Sequence, residues 1–134
     1  MKKQLETVYK EIKSRIPTRS YLDRNMTIPD YAGYSTANLP ASICNWLGVP
    51  QNSMLQPLAH EKDYGTQPKH IIEVIIDGLG IHQMETLQEK LSGNPWLKWI
   101  DRSGIETVLT SITPSSTAAA LTSLWTGVPA GRHR

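Results

Sequence analysis

The run Ile71, Ile72, Glu73, Val74, Ile75, Ile76 constrains this chain more than any other stretch, because five of its six residues are aliphatic. An apolar run of that length bounded by turn residues reads as a buried strand. It ends on Asp77, and the chain then breaks into Gly78, Leu79 and Gly80. A carboxylate is costly to desolvate, so one carried to the mouth of an apolar strand calls for a cation, a helix end or a hydrogen-bond donor.

Length and charge narrow the field in which that partner can be sought. A chain of 134 residues has room for one ordinary domain with a sizeable core. Fourteen Lys and Arg against twelve Asp and Glu leave a formal charge of +2, too little for a polyanion binder, so no nucleic acid partner is expected. Cys44 is the single cysteine, which rules out an internal disulfide and a CxxC metal site and suits a reducing compartment. The opening MKKQLETVYK carries no apolar core after its basic residues, and no stretch approaches the length that spans a bilayer. A soluble, cytoplasmic protein without membrane contact is expected.

The chain divides by texture into 1–69 and 70–134. From Lys3 to Ile16 the residues Leu5, Val8, Tyr9, Ile12 and Ile16 recur at helical spacing until Pro17 stops the pattern. From Thr18 to Lys69 prolines and short polar pieces read as a covering layer, with one short helix at Ala41 to Leu47 closed by Gly48. After His70 the texture becomes regular: a strand Ile71 to Ile76, a helix His82 to Leu91, a break at Ser92 to Pro95, a strand Ile105 to Leu109, and a helix Ser116 to Trp125 stopped by Gly127 and Pro129. Strand, helix, strand, helix predicts an α/β fold with parallel strands and crossover helices.

In such folds reactive groups gather at the carboxyl ends of strands. Asp77 ends the first strand. Beyond the second, Thr110, Ser111, Thr113, Ser115, Ser116, Thr117 and Thr122 place seven hydroxyls within thirteen residues. Ser115 or Ser116 alone would be an ordinary helix N-cap. One carboxylate and a hydroxyl cluster at adjacent strand ends point instead to metal-assisted chemistry, in which a divalent ion lowers the pKa of a threonine hydroxyl so that it gives up its proton, and the helix amides steady an anion. His60, His70 and His82 lack the spacing of a metal site and read as boundary residues. Glu73 is expected to face away from the site, and Trp46, Trp96, Trp99 and Trp125 to sit in a core or an interface.

VIIDGLG followed by TSITPSSTAAALTSLWTGVPAGRH resembles the type I phosphodiesterase and nucleotide pyrophosphatase family of the alkaline phosphatase superfamily. YAGYSTANLPASICNWLGVP is similar to the leader preceding the core in some prokaryotic members, so the resemblance covers about Ile28 to His133. It implies a partial three-layer α/β sandwich. It also implies two divalent metals, Zn2+ in the family, with Asp77 as a metal ligand and Thr117, three residues after Pro114, as nucleophile and ligand. The substrate implied is a phosphate ester or a nucleotide-like small molecule. The family's remaining ligands lie in Asp-His-Gly motifs far downstream, whereas this chain reaches Arg134 first. An N-terminal fragment of such a hydrolase, inactive alone and prone to self-association, is therefore expected. The alternatives are a catalytically inactive relic, the interaction half of a split protein, or a phosphomutase-like relative using Ser115 or Ser116. A sulfatase is excluded, because SSTAAA lacks the required Pro and Arg after the nucleophile.

Overall fold

The computed structural model describes residues 7, 9–12, 14, 27–60, 67–91 and 93–133. The described residues before position 15 are helical; Leu5, Val8 and Ile16 of the expected amphipathic helix lie outside the described residues. The other regular elements are a 3-10 turn at Thr36–Asn38, helices α1 (Leu39–Leu47), α2 (Ile81–Lys90), α3 (Pro95–Ser103) and α4 (Thr117–Thr126), and a 3-10 turn at Ala130–Arg132. No helix among the described residues is long and apolar enough to cross a membrane.

Each helix begins or ends where local chemistry directs. Ser35 and Asn38 form a reciprocal capping box at the first turn, Pro40 sits in the opening turn of α1, and Gly48 closes it in the left-handed conformation at φ 65. Before α3, Asn94 Oδ1 accepts from the Trp96 amide at 2.9 Å and Pro95 fills the first helical position, where its missing N–H costs nothing. Ser116 caps α4 by accepting from the Ala119 amide, and Gly127 ends it at φ 64. Thr113–Pro114 is a cis peptide bond.

The expected α/β sandwich is not present: the described residues form helices and no sheet, so the parallel strands are corrected to extended segments. Their one β-type contact is an isolated parallel bridge between Ser35 and Thr110. Among the described residues, the backbone of 71–76 and of 105–109 makes no hydrogen bond to another backbone group. The physical reason is that strand character belongs to a pair. An aliphatic run favours a pleated, half-buried surface only where neighbours provide one, and two short parallel segments without further strands are marginal. Ile72, Val74, Ile75, Ile76 and Ile105 are accordingly exposed. So are Trp96, Trp99 and Trp125, expected in a core or interface, while Trp46 is half-buried.

Among the described residues the buried hydrophobic ones are Ile12, Tyr34, Ala37, Ala41, Leu58 and Ile112, accompanied by the buried polar residues Ser35, Asn38, Ser42, Thr110 and Ser123. A core so rich in polar groups holds only if each finds its partners. Asn38 does so completely: Oδ1 accepts from the Ser35 amide at 3.0 Å, and Nδ2 donates to the carbonyls of Tyr31 and Gln56 at 2.9 and 2.8 Å. Ser42 Oγ accepts from the Leu58 amide at 2.7 Å.

Thr110 ties the later part of the chain to this layer. Its amide donates to the Tyr34 carbonyl at 2.7 Å and its carbonyl accepts from the Thr36 amide at 3.0 Å. Its Oγ1 donates to the Tyr34 carbonyl at 3.0 Å and accepts from the Asp30 amide at 2.9 Å. Thr110→Val keeps the shape and strands the Asp30 amide, so it should lower unfolding free energy by about 1–3 kcal/mol in urea titration, with Thr110→Ser recovering most of the loss. Gly127→Ala should cost at least about 1 kcal/mol by the same measurement, since its backbone is left-handed and an added Cβ would lie 2.6 Å from Ser53 Cβ.

Candidate functional site

Asp77 and Thr117, forty positions apart, meet in space. Thr117 opens α4, and its Oγ1 donates to Asp77 Oδ2 at 3.1 Å. The other carboxylate oxygen, Oδ1, accepts from the Gly78 amide at 2.8 Å, and Gly78 adopts φ 72, a left-handed conformation suited to glycine. The carboxylate therefore does two jobs: one oxygen fixes the turn at its own position and the second reaches the hydroxyl. Both side chains are exposed.

The amino end of α4 adds a directional field. The Ala119 amide is taken by Ser116 Oγ and the Ala120 amide by the Ser116 carbonyl at 2.8 Å. The amides of Thr117 and Ala118 have no helical carbonyl four residues back to donate to, and with the helix dipole they favour an anion beside Thr117. The remaining hydroxyls divide. Thr110 is the buried clamp described above, Thr122 Oγ1 donates to the Ala118 carbonyl at 2.8 Å, and Ser111, Thr113 and Ser115 are exposed.

The histidines are occupied elsewhere or exposed. His60 stands edge-on to Tyr34, ring centroids 5.7 Å apart, and His82 Nδ1 lies 3.4 Å from Glu85 Oε2 on the surface of α2. His133 Nε2 lies 2.9 Å from the Val128 carbonyl, which can only accept, so that nitrogen carries the hydrogen; Ser123 Oγ is 3.2 Å from the same atom. His70 is exposed. Glu73, expected to face away from the site, is exposed, yet desolvation by the surrounding protein holds its carboxyl above the ordinary carboxylate range.

Among the described residues no group of three or more His, Cys, Asp or Glu side chains could hold a metal ion. Catalytic zinc takes three protein ligands and leaves a position open. Asp77 and Thr117 together offer two oxygen donors, so the donor set described does not fit the two-metal centre that the resemblance implies.

Sequence reasoning missed a neighbouring cleft of about 330 Å³ between α2 and 106–109, lined in part by Leu79, Ile81, Met84, Glu106 and Val108. Gln88 Nε2 donates to Glu106 Oε1 at 2.9 Å across it, and Glu106 Oε2 is buried with no hydrogen-bond partner among the described residues. Its signal in the sequence is faint, because the aliphatic run at 105–109 reads as a strand. Comparison of the chain with family models, with curated proteins and with solved structures found no match.

Because Asp77 and Thr117 are exposed, Asp77→Asn and Thr117→Val should each change unfolding free energy by less than about 0.5 kcal/mol, whereas Ser116→Ala should cost about 1 kcal/mol through the lost cap. Chemical denaturation of the three variants checks this contrast.

Proposed function

We propose that this chain carries the nucleophile of a phosphoric ester hydrolase of the phosphodiesterase and nucleotide pyrophosphatase type, with Thr117 as the attacking group and Asp77 as its partner. The observation that supports the reading is the Thr117 to Asp77 hydrogen bond of 3.1 Å at the amino end of α4. The carboxylate orients the hydroxyl and receives its proton as the oxygen closes on phosphorus. A positioned acid or base of this kind contributes about 100-fold to 10,000-fold. The free amides of the first turn face the negative charge that grows on the non-bridging phosphoryl oxygens. The substrate class is a phosphodiester or phosphate monoester of nucleotide-like character.

Continuous turnover requires the rest of an active site, while a single transfer to a good leaving group requires only the nucleophile. Incubating the chain with the p-nitrophenyl ester of thymidine 5′-phosphate, in buffer with and without zinc, should form a bond from Thr117 Oγ1 to phosphorus as the bond to p-nitrophenolate breaks. Peptide mapping by mass spectrometry should then find the thymidylyl adduct on Thr117, at least tenfold less of it in Asp77→Asn, and none in Thr117→Ala. An unmodified wild-type chain, or an adduct on another residue, would sink the proposal.

A further inference from the structure

The aliphatic run that opens the later part of the chain has a second property, independent of Asp77 and Thr117. In an extended backbone alternate side chains share a face. Ile72, Val74 and Ile76, which form one such face, are 89%, 76% and 55% exposed. The opposite face is better covered, since Ile71 is half-buried and Ile75 is 46% exposed. The same segment makes no backbone hydrogen bond among the described residues, so its amides and carbonyls are open along both edges. An apolar face and open edges on one six-residue stretch are the two requirements for strand addition.

We propose that residues 71–76 are a self-association strand, through which two copies of the chain pair antiparallel about Val74. The charges select both the occupant and the register. A parallel, in-register pair would stack Glu73 on Glu73 and Asp77 on Asp77. An antiparallel pair centred on Glu73 sets that carboxylate against its own copy, and one centred on Ile75 sets it against Asp77. Like charges directly opposite are destabilising in a ladder. Centring on Ile72 places Ile76 opposite Pro68, which cannot donate to the ladder.

Centring on Ile71 sets Val74 opposite Pro68, and centring on Ile76 runs the ladder into the left-handed turn at Gly78. The register centred on Val74 places Val74 opposite Val74, Ile72 opposite Ile76 and Glu73 opposite Ile75. It joins the exposed aliphatic face into one continuous surface and leaves no carboxylate facing another. The segment holds no Pro or Gly, the composition of a self-pairing strand. A formal charge of +2 on the whole chain is too small to keep copies apart. One pair of six-residue strands covers less than the roughly 1,200 Å² of a standard interface, so association should depend on concentration in the micromolar range.

The test replaces Cys44 with Ser to remove the native thiol and then introduces single cysteines. Under mild oxidation Val74→Cys should form a disulfide dimer several-fold faster than Ile72→Cys, because only position 74 faces its own copy. The double variant Ile72→Cys with Ile76→Cys should cross-link as well as Val74→Cys. Light scattering on a size-exclusion column should show wild-type mass rising with concentration and Val74→Lys remaining monomeric, with unchanged helical circular dichroism. Thr117→Ala should leave the cross-linking unaltered, so this inference and the catalytic reading fail separately. A wild-type chain that stays monomeric at the highest soluble concentration would overturn the proposal. So would faster cross-linking at position 72 than at 74, or no advantage of Val74→Cys over Met54→Cys, an exposed control at 56%.

Discussion

The fold depends on Thr110. Its amide, carbonyl and hydroxyl make four hydrogen bonds to Asp30, Tyr34 and Thr36, and through them the segment leading to Ile112 and α4 is fastened to the layer around α1. Among the described residues few hydrophobic ones are fully buried, so in this part of the chain polar satisfaction takes a larger share of the stabilising role than aliphatic packing does. A buried polar group costs most when it loses its partner, which makes such a layer intolerant of partial solutions. Asn38, with both ends of its amide occupied, is the second member of the same arrangement.

The candidate site grows out of that frame indirectly. Thr110 and the buried Ile112 fix where the chain emerges, and Ser116 then starts α4 so that Thr117 presents its hydroxyl to the turn at Asp77. The turn itself is self-contained, because Asp77 and Gly78 satisfy each other locally. What joins two otherwise separate local structures is a single exposed hydrogen bond, and the anion-favouring amides stand beside it.

Local signals were legible in the sequence and partner-dependent ones were not. Gly48 and Gly127 ended helices where expected, and the helices expected from His82 and Ser116 begin within one residue, at Ile81 and Thr117, because a cap or a stop acts over three or four residues. The carboxylate and a cluster of hydroxyls were legible from the residues, whereas Thr117 as the partner of Asp77 was singled out by the family resemblance and not by the residues alone. The runs at 71–76 and 105–109 misled, since aliphatic content states a preference for a sheet without supplying its neighbours. Helix α3 has no counterpart in the sequence reading, which treats Ser92 to Pro95 only as a break, although Asn94 and Pro95 mark the helix start. In the sequence Thr110 stands as one of seven clustered hydroxyls, and only its burial and its partners across the chain reveal the clamp.

Helix α4 is secured unevenly along its length. Near its carboxyl end Ser123 is fully buried, Ser53 Oγ donates to the Gly127 carbonyl at 3.0 Å, and His133 folds back onto Val128 and Ser123. At the amino end Ser116, Thr117 and Ala118 are exposed. The helix is thus about 15 Å long at 1.5 Å per residue, more deeply held toward its tail and bearing the Thr117 hydroxyl at its exposed amino end. A tilt of about 4° at the tail displaces the amino end by about 1 Å, a distance worth about a hundredfold in rate for a positioned reaction. The aim of the Thr117 hydroxyl is therefore set from both sides, by Gly127 and Ser53 behind the helix and by Thr110 and Ile112 ahead of it.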